Sequence, residues 1–236
     1  RILSEAEELK KTSLSIQSKV ILGHVFAYAF VILKDLPEVN RRFSNLVNLI
    51  EAHPIYRKVR PILVLDVYRA YLESCFQVRI FSETEKVIGL IRKVAARTAA
   101  EKALVEVISV SFAVQNFVQQ EEFASAANME AEVTVLFKKH GVAIPPTYEV
   151  TLLHNFSLAL FLSGHYSSCR KWLRQILQQA QSHNRSDIWE FARLLSLLVL
   201  FELKEFDLLH YEMRNSERFL VRRQQLHAFE SELLHF

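Results

Sequence analysis

Residues 153–177 read LHNFSLALFLSGHYSSCRKWLRQIL, two apolar helical patterns separated by a short polar break. Leu153, Phe156 and Leu160 recur at helical spacing and therefore share one face of a first helix. Gly164 lies in the break and suits the left-handed backbone conformation that ends many helices. A second helix opens at Tyr166, and its apolar face carries Cys169, Leu173, Ile176 and Leu177. The stretch predicts a hairpin of two helices, which leaves apolar surface for a neighbour to cover.

A turn-marked unit of this kind recurs five times along the chain. Its marker is a bulky apolar residue just after a polar break, with a small or apolar residue three positions later. The pairs are Leu36 with Val39, Phe81 with Thr84, Phe123 with Ala126, Tyr166 with Cys169, and Phe206 with Leu209. The bulky residues are 45, 42, 43 and 40 positions apart. A period of this size indicates a solenoid of stacked supersecondary units rather than one globular core.

The composition favours long helices and excludes several classes of protein. The chain has 236 residues, of which 50% are hydrophobic, and this is too apolar for a disordered protein. Only 4 glycines and 5 prolines interrupt it, which favours an all-α fold. The net charge of +3 comes from interspersed acidic and basic residues, without the basic block typical of nucleic-acid-binding proteins.

Two apolar features are predicted to lie in the protein core. Cys75 and Cys169 stand in apolar helical context and are interpreted as small buried residues, not as a disulfide or a metal-binding pair. Residues 20–33 form an uncharged apolar stretch that is shorter than the roughly 20 residues needed to cross a membrane. It is predicted to be a buried core helix, and the protein is expected to be cytoplasmic and without a membrane span.

The fourth unit resembles a tetratricopeptide repeat. Its matching positions are Leu153, Phe156, Ser157, Leu160, Gly164, Tyr166, Cys169, Leu173 and Ile176. The first unit matches with Phe26, Ala27, Phe30, Leu36, Val39, Phe43 and Leu46, and the second with Tyr68, Tyr71, Cys75, Phe81, Ile88 and Ile91. In the third unit Glu130 departs from the pattern, because a large residue is expected there. The resemblance implies a right-handed superhelical α-solenoid of stacked antiparallel helix hairpins.

The predicted organisation is a single solenoid. Its units are 16–53, 56–97, 99–140, 147–183 and 186–223. Residues 225–236 carry an apolar stripe and are predicted to form a C-terminal capping helix, with docking of another subunit as the alternative. Residues 2–13 are predicted to form a short amphipathic helix. The chain starts at Arg1, so an upstream domain or a signal peptide stays open, as does homo-oligomerisation through the terminal helices.

No pattern of catalytic or ligand-binding residues stands out. The nine histidines form no cluster at zinc spacing, and glycines only at positions 23, 89, 141 and 164 cannot build a phosphate-binding loop. No catalytic residue, metal site or cofactor is predicted, and the protein is not expected to be an enzyme. Arg214, Arg218 and Arg222 form a basic stripe, interpreted as a solvated face with ion pairs; binding of phosphate or an acidic protein is the alternative.

The resemblance implies that first helices line a concave surface that binds peptides. The inner positions also include Ile21, Leu158 and Phe161, and the residues predicted there to bind a partner are His24, Tyr28, Asp66, Arg69, Glu73, Gln77, Ser111, Gln115, Gln119 and His154. Arg69 and Glu73 are costly to bury without partners, so they are expected to line a surface, with a plain ion pair as the alternative. The lysines and asparagines with which the family's chaperone-tail clamp holds a terminal carboxylate are absent here.

These residues favour a non-enzymatic protein-protein interaction module or scaffold. It would bind a protein or peptide through the concave helical surface. The alternative is a peptide- or ligand-sensing regulatory domain of a larger multidomain protein. Binding of nucleic acid is not expected.

Overall fold

The computed structural model describes residues 15–178 and 186–222 of the chain. Within these residues it contains twelve α-helices and one 3-10 helix, and it contains no strand. The prediction of an all-α protein is therefore confirmed. The chain divides into two compact units, residues 1–120 and residues 121–236.

Unit 1 holds the first six helices. They are α1 (Ile16–Ile32), α2 (Leu36–Glu51), α3 (Pro54–Val59), α4 (Pro61–Gln77), α5 (Thr84–Arg92) and α6 (Ala99–Gln119). Helix α1 packs on α2, α2 packs on α4, and α4 packs on both α5 and α6, which also contact each other. Each helix thus packs mainly on helices close to it along the chain.

Unit 2 holds the remaining six helices of the described residues. They are α7 (Phe123–Ala127), α8 (Glu130–His140), α9 (Pro146–Leu162), α10 (Tyr166–Gln178), α11 (Ser186–Glu202) and α12 (Phe206–Arg222), with the 3-10 helix Gly141–Ala143 between α8 and α9. Helix α9 packs on α7, α10 and α11, while α11 also contacts α10 and α12. Packing between neighbours is compatible with a helical repeat fold.

The backbone takes a left-handed conformation two residues before each of the five sequence markers. These residues are Lys34, Arg79, Glu121, Gly164 and Lys204, with φ of 58°, 57°, 62°, 79° and 58°. At Lys34 the helix ends in a Schellman motif, in which the Asp35 N–H donates to the Phe30 carbonyl at 3.1 Å. The same bond follows Arg79, Gly164 and Lys204. The recurring marker therefore reports a recurring turn.

Most markers also begin a helix and place a small side chain in the core. Helices α2, α7, α10 and α12 begin at the bulky marker residue, and α5 begins three residues after Phe81. The residue three positions after the marker is buried in four of the five units, as Val39, Thr84, Ala126 and Cys169. In most units the marker thus indicates both the start of the second helix and its first core contact.

Close approach of α1 and α2 requires a glycine. A Cβ atom added at Gly23 would lie 2.5 Å from the Cδ2 atom of Leu46, which is too close for two carbon atoms. Leu46 is buried on α2. The missing side chain of Gly23 therefore sets how closely the first hairpin packs.

Buried and half-buried polar side chains connect helices inside each unit. In unit 1 the Asn40 side-chain amide donates to Ser74 Oγ at 3.1 Å, and Thr84 Oγ1 lies 2.7 Å from Asn116 Oδ1. In unit 2 the Trp172 indole donates to Glu130 Oε1 at 2.9 Å. Glu130 departs from the repeat pattern because it begins α8, after the second helix of that unit breaks at residues 128–129.

The apolar stretch 20–33 differs from the sequence prediction. Val20, Phe26 and Ala27 are buried, but Val25 is 58% exposed and Ile32 is 81% exposed. The expectation of a buried core helix is wrong for this face, because α2 is the main packing partner of α1 among the described helices. Both cysteines are free and buried, as predicted.

The remaining sequence predictions concern a membrane span and the helices at the two ends of the chain. No described helix is long and apolar enough to cross a membrane. The predicted helices at residues 2–13 and 225–236 lie outside the described residues. The short helix α3, which Pro54 and Pro61 separate from its neighbours, was not predicted.

Candidate functional site

An ion-pair network on α4 meets a histidine from α1. The Nε2 atom of His24 lies 3.4 Å from Asp66 Oδ2. Asp66 Oδ1 accepts a hydrogen bond from Arg69 Nη2 at 2.7 Å, and Arg69 Nη1 donates to Glu73 Oε1 at 2.5 Å. Asp66 and Glu73 lie three residues before and four residues after Arg69, so all three side chains share one face of α4. The first helices of two successive hairpins therefore contribute to one cluster.

Aromatic rings enclose the histidine. The His24 ring stacks on Tyr28 with centroids 5.0 Å apart, and it meets the edge of Phe43 at 5.5 Å. Tyr28 and Phe43 also contact each other edge to face at 5.9 Å. The sequence places Phe43 in the hairpin core, and nothing in its spacing indicates that it supports a surface site.

Burial keeps the imidazole neutral near neutral pH. The side chain of His24 is only 13% exposed. Desolvation lowers its pKa from the ordinary 6.5, Asp66 acts in the opposite direction, and the Arg69 guanidinium lowers it further. Its Nδ1 atom is buried and has no hydrogen-bond partner among the described residues.

The rest of the cluster is open to solvent. Tyr28 is 40% exposed, and the side chains of Asp66 and Glu73 are 41% and 47% exposed. Arg69 is more enclosed, because it lies between both carboxylates. With His24 neutral, two carboxylates and one guanidinium leave the cluster with an excess of negative charge beside an aromatic surface. We call these five residues, His24, Tyr28, Asp66, Arg69 and Glu73, the α1–α4 surface.

The other predicted site residues have varied environments. Gln77 and Gln119 are exposed at the ends of α4 and α6, and Gln115 is half-buried. Ser111 was expected to line the surface, but it is buried because most faces of the central part of α6 are covered. His154 belongs to unit 2, where its ring meets the edge of Phe191 at 4.5 Å.

Metal-binding and thiol chemistry have few candidate groups here. Among the described residues, no group of three or more histidine, cysteine, aspartate or glutamate side chains is arranged to hold a metal ion. Burial raises the pKa of the Cys169 thiol to about 12, and it also raises the pKa of Cys75. Both thiols are therefore protonated and poorly nucleophilic at neutral pH.

No protein-family model matches the chain, and no curated protein matches it either.

Proposed function

We propose that this chain is a non-enzymatic interaction module with a TPR-like α-solenoid fold. It binds a peptide segment of a protein partner through the α1–α4 surface. The observation that carries the proposal is the Asp66–Arg69–Glu73 network, held open to solvent against His24 and Tyr28. The recurring left-handed turn and the packing between neighbouring helices support the repeat fold.

The ion pairs of Arg69 with Asp66 and Glu73 contribute too little to the free energy of unfolding to explain the arrangement by stability alone. An ion pair between residues four apart on a helix contributes only about 0.2–0.5 kcal/mol, and exposed pairs often contribute nothing measurable. Here Arg69 is shared by two half-exposed carboxylates, and a buried imidazole stands next to one of them. Polar groups held in fixed positions at the surface serve recognition better than folding.

The charge of the surface indicates the chemistry of its partner. Asp66 and Glu73 each keep carboxylate lone pairs that can accept hydrogen bonds, and Tyr28 offers an aromatic face. A lysine or arginine side chain can bind the carboxylates and contact the ring through a cation–π interaction. The exposed apolar residues Ile21 and Val25 on α1 provide contact area for apolar neighbours. The partner segment therefore combines basic and apolar residues.

Fluorescence anisotropy with labelled peptides tests this proposal. The probe is a peptide of about ten residues with alternating leucine and lysine, compared with leucine-glutamine and leucine-glutamate versions. We expect the lysine peptide to bind and the glutamate peptide not to bind. The double variant Asp66→Asn/Glu73→Gln should weaken binding of the lysine peptide at least about tenfold, because it removes the negative charge.

A matched control has the same charge change elsewhere in unit 1. Glu83→Gln/Glu85→Gln alters two carboxylates at the start of α5 and should leave binding unchanged. Thermal melting of both variants separates loss of recognition from loss of folding. Equal weakening in both variants, or binding that is indifferent to peptide charge, would contradict the proposal.

A further inference from the structure

A groove in unit 2 lies along the outer face of α10. It has a volume of about 510 Å³ and runs between α10 and the turn that joins α11 to α12. This volume is in the range of ligand-binding clefts. The buried face of α10 carries Cys169, Trp172, Leu173 and Ile176, so the groove uses the opposite, polar face of this helix.

Basic side chains dominate the lining of the groove. Arg170, Lys171 and Arg174 come from α10, while Glu205 is the one carboxylate among the described lining residues. Arg170 and Glu205 form an ion pair at 2.5 Å, which closes one side of the groove. Within the part of the chain that the structure describes, Lys171 and Arg174 form no ion pair, and both are exposed. The groove therefore presents two positive charges that no carboxylate among the described residues pairs, and Lys171 Nζ also lies 5.5 Å from the centroid of the Trp172 ring.

The polar groups follow the helix in a line. Ser167, Lys171, Arg174 and Gln178 recur at intervals of three or four residues, so they extend over about 16 Å at 1.5 Å per residue. This distance corresponds to about five residues of extended peptide. A single phosphate group would fill only a small part of such a line.

The remaining lining suits a polypeptide. The side-chain amides of Gln175 and Gln178 can both donate to and accept from a peptide backbone, and Leu203 supplies an apolar wall. No aromatic side chain lines the groove among the described residues, and Trp172 turns its ring into the core at 3% exposure. Binding of single-stranded nucleic acid usually relies on exposed aromatic rings on which bases stack.

We infer that the groove along α10 binds an extended acidic peptide segment, with carboxylates held by Lys171 and Arg174 and the backbone contacted by Gln175 and Gln178. Guanidinium groups bind carboxylates in a planar, bidentate geometry, which gives Arg174 the larger part in orientation. This site is separate from the α1–α4 surface, because it belongs to the other compact unit and selects the opposite charge.

Fluorescence anisotropy of the whole chain tests the inference. The probe is a fluorescein-labelled peptide of about ten residues with alternating glutamate and serine. We expect saturable binding that weakens as salt is added, and no binding of the peptide in which glutamine replaces glutamate. Lys171→Glu/Arg174→Glu should weaken binding at least about tenfold, because each contact becomes repulsive.

The control variant reverses two positive charges in the same unit, but on a different helix. Arg214→Glu/Arg218→Glu reverses two exposed arginines on α12 and should bind the probe like the unmodified chain. Lys171→Gln/Arg174→Gln repeats the test without introducing new charges, and circular dichroism checks that every variant stays folded. Asp66→Asn/Glu73→Gln should not affect this probe, so failure here and failure of the α1–α4 surface are distinguishable.

Three outcomes would overturn the inference. The first is no binding of the glutamate peptide at low salt. The second is equal weakening in the α10 and α12 variants, which would show binding by net charge alone. The third is displacement of the peptide by millimolar inorganic phosphate or by an oligothymidylate as effectively as by unlabelled peptide, which would assign the groove to phosphate groups.

Discussion

Lys34 and Gly164 have the same left-handed backbone conformation at equivalent turns, with φ of 58° and 79°. Each lies two residues before the bulky residue that begins the next helix, and each is followed by the same hydrogen bond back to the preceding helix. Only Gly164 adopts this conformation without a steric penalty, because it has no Cβ atom.

Replacing Lys34 by glycine should therefore stabilise the protein. Glycine removes the steric strain of the left-handed conformation, but it also loses more conformational entropy on folding than lysine does. Because the first effect is larger in free energy, we expect a net gain of about 0.5–1 kcal/mol. Gly164→Ala should destabilise by about 1 kcal/mol, because it introduces the same penalty at the fourth turn. Chemical denaturation measures both changes. Lys34→Ala keeps a Cβ atom and is the control; a gain equal to that of Lys34→Gly would point to the side chain rather than the backbone.

Leu160→Ala should destabilise unit 2 by about 2–5 kcal/mol. Leu160 is fully buried on α9, so truncation leaves a cavity in the hairpin core. Leu162→Ala, two residues further along, removes the same atoms from a side chain that is 46% exposed and should cost much less. Urea unfolding of the two variants checks this difference, and similar losses would show that the faces of α9 are wrongly assigned.

Thr84→Val should destabilise unit 1 by about 1–3 kcal/mol without changing the side-chain volume much. The buried Thr84 hydroxyl lies 2.7 Å from both the Phe81 carbonyl oxygen and Asn116 Oδ1, and valine removes the polar group that the buried Asn116 side chain contacts. Thr147→Val makes the same replacement at an exposed position near the start of α9 and should be close to neutral. If both variants unfold at the same denaturant concentration, the buried bond contributes nothing.

Acidification should reduce the free energy of unfolding through His24. Its pKa in the folded protein is lowered below 6.5, so the unfolded chain binds the proton more tightly. The contribution of the neutral ring is complete above pH 6.5 and is lost as the pH falls towards the lowered pKa. His24→Phe keeps an aromatic ring but cannot be protonated, and its stability should decline less steeply between about pH 7 and 5. Parallel pH profiles would show that other groups cause the decline.

The hairpin turns were predictable because their sequence signal is local. A second helix was predicted to begin at Tyr166, and a helix does begin there. Helices also begin at the equivalent markers Leu36, Phe123 and Phe206, whereas α5 begins three residues after Phe81. The left-handed residues before them were predictable only at Gly164. Lysine, arginine and glutamate have no preference for this conformation, so the turns at Lys34, Arg79, Glu121 and Lys204 carry no such signal.

Contacts between helices were predicted less completely than the helices themselves. The pairing of Arg69 with Glu73 was the alternative interpretation of their spacing on one helix. The approach of His24 to Asp66 depends on how α1 and α4 pack, which no local pattern indicates. Burial of Ser111 was missed because a small hydroxyl can bond within its own helix and lie in the core. The groove along α10 was missed because Leu203 and Glu205, which complete it, come from a distant part of the sequence.

Gly23 has a consequence beyond the packing of the first hairpin. It directly precedes His24, and the space that it leaves for Leu46 determines how far α1 stands from α2. A methyl group at this position requires Leu46 or α1 to shift, and a shift of α1 would carry the imidazole away from Asp66. The spacing between the two helices that form the α1–α4 surface thus depends on a residue that contributes no side chain to it.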